Sequence, residues 1–459
     1  MSNTTVIEAP VDAPAEGVTE ALNLKAVERL AEADPVWLRE RRLHAWAVYE
    51  GTPMPTTRLE EWRYTDLSRT LDLDPLRLES AEAAASDPGE VPAPVLPAPV
   101  RETMDEDEPA TGHVITVDGR VVHTDIDAKA AGEGVILTSL REAIENHPEL
   151  LERYVGTQAV TPEVGKFHAL NSALWSDGVL LYVPHGVHVE LPIRVTRWIS
   201  NEGTAVFTRT LIIAQADSRV SYVDEILSND FDAQSFVSDA VEVIAEDGAN
   251  VQYVSVQRLG HGVFYHSAQR TLASRNVKLD TLNVTLGASV SRLDLNARML
   301  GPGASSELLG LYFGDSDQHF DHNTSQDHVA PNATSVLLYK GALDERSHSV
   351  FRGIIRVHPG AQGTDAYQTN RNLMLSDEAR AHSLPNLEIE ADDVRCSHGA
   401  TVGELDKELL FYLMSRGMNR QQAERLVVQG FLGDVLTRLP LGGVVEKVKR
   451  AILNKLAHG

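Results

Sequence analysis

The sequence predicts a mainly β protein: a parallel β-helix, or solenoid, flanked by helical regions at its N-terminal and C-terminal ends. Three observations carry this expectation. Within residues 113–403 the chain runs in short segments of period-two alternation, such as "TLIIAQADSRVSYVDE" and "VEVIAEDGANVQYVSVQ", the repeat of a strand. Small polar corners recur between them, among them "ADSR", "EDGAN", "ASRN", "GPGASS", "PNATS" and "ERSHS", at intervals of about 15 or about 30 residues. Apolar residues at spacings of three and four are found instead before and after this stretch.

Residues 1–80 read as a helical region behind a disordered extreme N-terminus. The start, "MSNTTVIEAPVDAPAEG", has neither the basic nor the apolar part of a secretory signal, which points to the cytoplasm. Val27, Leu30 and Ala31, then Trp37, Leu38, Arg41 and Ala45, predict amphipathic helices that Pro53 and Pro55 end. In "EEWRYTDL" (60–67) Trp62 is expected to anchor a helix-to-loop corner. Residues 81–112, rich in Ala, Pro and acid with little to bury, predict a flexible or polyproline-like linker.

In the β region no unit is long enough to bury its own apolar face, so units must stack, with Val, Leu and Ile inward and Ser, Asn, Gly and Asp at the corners. A sandwich or jelly roll is the competing arrangement of the same strands. Residues 404–459 return to helices. Leu405, Leu409, Leu410 and Leu413 share one side of a helix that stops at Gly417, a residue suited to a left-handed cap. Asn419 is placed to cap the next helix, whose stripe is Ala423, Leu426, Val427, Phe431 and Leu436. A third carries Val444, Val445, Val448, Ile452 and Leu456. These helices are expected to close one end of the solenoid, and their stripe also suits a partner.

Composition narrows the function classes. A formal charge of −25 repels a phosphate backbone, and no basic run with interleaved aromatics offsets it, so nucleic acid is not an expected ligand. No apolar run approaches the roughly 18 residues of a membrane span. One cysteine makes neither an intramolecular disulfide nor a paired-thiol zinc site. The chain lacks a G-x-x-x-x-G-K-[ST] loop, a G-x-S-x-G elbow and an H-E-x-x-H pair, so ATP hydrolysis by the chain itself is not expected.

Two constellations remain. Cys396 and His398 alternate, so on a strand they face the same side. Thiolate and imidazole suit iron, zinc or an iron–sulfur cluster, and the imidazole can lower the thiol pKa below about 8.5. As a nucleophile dyad they are poorly arranged, with the ring beside the sulfur rather than aimed at it. A lone cysteine is more often simply a small buried hydrophobe. In "YFGDSDQHFDHNTSQDHVAPNATS" (312–335), Asp315, Asp317, His319 and Asp321 alternate, with His322 opposite and Asp327 and His328 downstream. In extended backbone such a row lines one face, where it coordinates a divalent metal or meets solvent or a partner.

"CSHGATVGELDKELLFYLMSRGM" followed by "GFLGDVLTRLP" resembles the C-terminal signature of the SufB/SufD family of the SUF iron–sulfur cluster assembly system. "DAYQTNRNLMLSDEARAHSLPNLEIEADDVRCSHGA" is similar to the family's last β-helix strands, "FHALNSALWSDGVLLYVPHGVHVELPI" to its first, and "EEWRYTDL" to its N-terminal region. The resemblance spans residue 25 to the C-terminus and favours the SufD side: "SHGA" stands where SufB typically has "EHEA", and SufB commonly carries more cysteines.

It implies a right-handed parallel β-helix and a non-catalytic scaffold that pairs with a SufB-like subunit as a heterodimer. A SufC-like ABC-type ATPase is expected to dock between Asp406 and Leu439. ATP then acts only through that ATPase, and the isolated chain holds no cofactor tightly. A nascent iron–sulfur cluster or iron is shared with the SufB-like subunit at a site that includes His398, with Cys396 beside it. Self-pairing in the absence of that subunit stays open. Two other functions compete: a structural adaptor without metal contact, and a polysaccharide-acting β-helix enzyme using the Asp/His row.

Overall fold

A computed structural model of the chain describes residues 20–78, 100, 109–438 and 442–458. The extreme N-terminus and most of the expected linker over 81–112 lie outside these residues. Strand Gly112–Val117 already occupies the linker's last position.

Two long parallel sheets face each other across a common core. The first runs Asp177–Val183, Thr204–Ala214, Ser235–Ala245, Val263–Ala273, Val290–Met299, His319–His328, His348–Val357 and Arg380–Ile389. The second runs Ile193–Ile199, Arg219–Ser228, Asn250–Arg258, Lys278–Thr285, Ser305–Gly314, Thr334–Leu343, Thr364–Met374 and Val394–Glu404. Consecutive strands alternate between the sheets, so the chain winds a β-solenoid of about eight turns. One turn takes about 30 residues, as in Ser235 beside Val263 and His319 beside His348, and half a turn about 15. The two intervals in the sequence are these two distances.

The corners work because residues suited to left-handed backbone occupy them. Asp217 (φ 57°), Asn276 (φ 56°) and Asn332 (φ 57°) alternate up one edge with Gly248 (φ 73°), Gly303 (φ 72°) and Gly363 (φ 74°). Backbone bonds continue the stack there: Asn276 N donates to Pro302 O at 3.0 Å, and Gly303 N to Pro331 O at 3.3 Å. Between the sheets, Val, Leu, Ile and aromatic side chains such as Ile212, Val243, Tyr253, Leu279, Leu308 and Phe351 fill the axis.

Both outer faces are covered. Phe207, Phe236 and Phe264 on the first sheet pack against Phe167, Trp62 and Trp46 of the N-terminal region. Buried Arg209 ties them together, bonding Glu242 at 2.9 Å and Asn171 at 3.1 Å. Trp62 ends the short turn Glu60–Trp62, with the Arg292 guanidinium 3.6 Å from its ring centroid, so it anchors the corner as expected.

The C-terminal helices do not close an end of the solenoid. Val428, Leu432, Val435, Val444, Val448 and Ile452 lie on the outer face of the second sheet, over Leu309, Leu311 and Phe313. The reason is in the strands: Ser305–Gly314 carries apolar residues on both faces, and the outward set needs a cover. Lys455 reaches from the last helix to Leu286 O (2.6 Å) and Phe313 O (3.1 Å). Lys340 reaches back to Phe431 O (3.1 Å) and Asp434 (2.8 Å).

A second correction concerns "FHALNSAL", expected as the first strands of the β-helix. It is the helix Lys166–Leu174, and the helices Leu140–Asn146 and Pro148–Tyr154 precede it. Almost every side chain of Lys166–Leu174 is buried, so it has no polar face to reveal a helical repeat.

Candidate functional site

Cys396 and His398 lie on Val394–Glu404, the last strand of the second sheet. In register Cys396 stands beside Ala366 and His398 beside Gln368, both buried and turned to the solenoid interior. The two side chains therefore face the axis together, as the alternation predicts. They remain accessible because, among the described residues, no further turn covers them.

Their surroundings differ. Cys396 is half-buried against Ile355, Val357, Ala361 and Ala366. Burial raises its thiol pKa, only partly opposed by a hydrogen bond from the Ala366 backbone. The sulfur is thus kept as a thiol, which argues against a pre-activated nucleophile and leaves deprotonation to a metal or an incoming charge. His398 is exposed. Below it Gln368 donates to Asn386 O at 3.1 Å, crossing to the first sheet and forming a floor under the imidazole.

Around this pair the end of the solenoid is open. Among the described residues Val394–Glu404 pairs only with Thr364–Met374, and Arg380–Ile389 only with His348–Val357. Each leaves one row of backbone N–H and C=O groups unpaired. Inward-facing apolar side chains come to the surface here: Val402 is 51% exposed, Ile389 40% and Leu387 37%. The sequence gives no sign of this, since a repeat does not announce which turn is last.

The Asp/His row does not form. Asp315 and Asp317 flank Ser316 (φ 48°) in a corner, so the extended backbone needed to align them begins only at His319. Asp317 makes two 2.7 Å bonds to Arg346, and Asp315 pairs with Lys455 at 3.1 Å. His319 and Asp321 lie under the N-terminal region, where the Thr65 hydroxyl sits 2.8 Å from His319 Nε2 and donates to Asp321 at 2.5 Å. His328 faces inward, 2.8 Å from the Ser335 hydroxyl, and burial pushes its pKa down to about 4. Its opposite direction follows from parity: 328 is even, and 319 and 321 are odd.

A second surface lies on the C-terminal helices. Lys407–Ser415 starts at Asp406, whose carboxylate accepts from Glu408 N and Leu409 N, and Gly417 (φ 96°) follows it. Asn419 and Gln422 form a capping box at the start of Arg420–Leu436. Between the two helices runs an apolar groove of about 390 Å³, lined by Leu409, Leu413, Leu426, Val427, Gly430 and Phe431. Beside it Phe411 is 75% exposed, and Tyr412 and Met414 are also exposed. Contiguous apolar exposure of this kind marks an interaction surface. Leu439, the end of the expected docking segment, lies outside the described residues.

Comparison with known proteins gives the family. Residues 197–431 match the SufBD core domain of SUF system FeS cluster assembly, and residues 104–195 match the SufBD protein N-terminal region. The iron–sulfur cluster assembly protein SufD of Bacillus subtilis is 31% identical over 429 residues, covering 92% of this chain and 95% of that protein. SufBD family iron–sulfur cluster assembly proteins of Staphylococcus saprophyticus and Staphylococcus epidermidis are each 28% identical over 437 residues.

Proposed function

This chain belongs to the SufBD family of SUF iron–sulfur cluster assembly proteins, and from that premise we propose a non-catalytic scaffold that completes its working site with a partner. The open end of the solenoid pairs with a SufB-like subunit, and the C-terminal helices dock a SufC-like ATPase. Cluster assembly is the cytoplasmic task, and the cluster or its iron is cargo rather than a resident cofactor.

One observation carries the reading: Cys396 and His398 face the axis at an end of the solenoid that none of the described residues covers. An iron–sulfur cluster takes about four ligands, and one thiol with one imidazole leaves the others to a partner. The two unpaired strand edges suit backbone pairing with a partner's strands, and Leu387, Ile389 and Val402 supply apolar surface for it to bury. ATP enters through the SufC-like subunit. Its binding energy shifts the shared interface only if it binds two arrangements of the complex unequally.

The pairing is tested by Leu387→Asp and Val402→Asp. Both side chains are exposed, so each variant is expected to keep the thermal stability of the isolated chain. Each is expected to lose co-elution with a SufB-like subunit in size-exclusion chromatography. Undiminished co-elution would move the partner to another surface. The half-buried, protonated thiol favours one alternative, an adaptor whose Cys396 only packs; it predicts normal cluster yield without either side chain.

A further inference from the structure

The N-terminal region does not seal the outer face of the first sheet completely. A cavity of about 510 Å³ remains between the Thr52–Trp62 segment, the start of the helix Lys166–Leu174 and the strands beneath. On its wall meet three side chains far apart in the sequence. His168 comes from that helix, His266 from strand Val263–Ala273 and Asp294 from the neighbouring strand Val290–Met299. One ligand atom from each lies within 4.8 Å of the other two, and both histidines are buried.

We propose that His168, His266 and Asp294 form a binding site for a divalent first-row metal ion, with ferrous iron the best-suited member of that class. Two imidazoles and one carboxylate form the donor set that holds ferrous iron on one face and leaves its other positions open, here toward the cavity. His266 Nε2 and Asp294 Oδ2 are 3.2 Å apart, close to the separation of roughly 3 Å between adjacent donors on metal bonds of about 2.1 Å. His168 has to turn its ring toward that pair to complete the set, since its ligand atom is within 4.8 Å of theirs rather than about 3 Å.

The surroundings support the donors. Arg292 Nη2 holds Asp294 Oδ1 at 3.1 Å, leaving Oδ2 turned toward His266. Burial alone would raise the Asp294 pKa, but Arg292 overrides it and holds the carboxyl well below its usual range. Burial, with Arg270 adding to it, keeps the His168 imidazole neutral.

The nearby guanidiniums set the strength of the site. Arg270 lies 3.4 Å from His168 Nε2 and is anchored to Asp294 O at 3.0 Å, and Arg292 is held beside Asp294 by its bonds to Asp321 at 2.6 Å and Glu61 O at 2.9 Å. A bare dication is repelled by both. An ion carrying a carboxylate or thiolate in its open positions is not, and Lys166 and Arg352 also line the cavity. The site therefore loads reversibly and prefers the metal together with a small anionic ligand. It is separate from Cys396 and His398 and independent of the assembly reading.

The test uses the full chain with Cys396→Ser and His398→Ala, so that the open end contributes no thiol or imidazole. Anaerobic titration with cobalt(II), a coloured stand-in for ferrous iron, is expected to give one equivalent with visible ligand-field bands. Adding citrate is expected to tighten binding. His168→Ala in that background is expected to weaken it by about tenfold or more and to remove the bands. Asp294→Asn, nearly isosteric, is expected to do the same if His168→Ala disturbs the helix. Absence of binding in the parent, or unchanged binding in both variants, overturns the proposal while leaving the cluster-assembly reading untouched.

Discussion

Arg197 places a charge inside the solenoid, bonded to Asp224 at 2.7 and 2.9 Å and 3.6 Å from Asp239. Burial pushes the Asp239 pKa up to about 6, against the pull of Arg197. The folded chain thus keeps a proton on Asp239 at pH values where the unfolded chain, with its ordinary value of 3.8, has released it. Stability from this group is full below about pH 4 and lost as pH rises through about 6, on the order of 2–3 kcal/mol. His322 works the other way. Burial pushes its pKa down to about 4, so its contribution is present above 6.5 and lost as pH falls. The difference between wild type and Asp239→Asn isolates the carboxylate. Urea unfolding across this range is expected to show wild type losing stability relative to the variant as pH rises, and a constant difference would contradict the assignment. At this scale the sequence was legible where a residue type carries its own logic, as at Trp62, Gly417 and Asn419. Buried Arg42, Arg197 and Arg209 were not, because an arginine in a helix or strand pattern reads as solvated until its carboxylate is found.

Corners and helices are the elements on which the architecture turns. At Gly303 a Cβ would lie 2.4 Å from Asn276 Oδ1, on a backbone with φ 72°. Gly303→Ala is therefore expected to cost about 1–3 kcal/mol, read as a lower urea midpoint at an unchanged m-value. A variant as stable as wild type would mean that the corner relaxes freely. Strand and corner periods were readable because each corner residue meets a local backbone demand. The Lys166–Leu174 helix was not, since burial on all sides erased its period. The C-terminal stripe was readable as apolar, but which residues meet the sheet is decided by Leu309, Leu311 and Phe313 in another part of the chain. Phe411, 75% exposed, is left outside that packing. Phe411→Asp is expected to leave the thermal midpoint unchanged and to weaken retention of a SufC-like ATPase in pull-down by about tenfold or more, as for an aromatic hot spot. Normal retention would take the docking surface off this helix.

At the scale of the whole molecule, the described residues form a solenoid with helices over both sheets and one open end. The N-terminal region lies on the first sheet and the C-terminal helices on the second, while the last turn exposes two strand edges, Leu387, Ile389, Val402 and the Cys396/His398 pair. That Cys396 and His398 share a side was legible from their alternation. That they share it at the mouth of the axis was not, because position along a stack is a property of the stack. The most direct measurement is anaerobic co-expression of this chain with SufB-like and SufC-like subunits, followed by iron and sulfide determination on the purified complex for wild type and His398→Ala. An intact complex with clearly less iron and sulfide in the variant is the expected result. An intact complex with undiminished iron and sulfide would contradict a composite site at the open end.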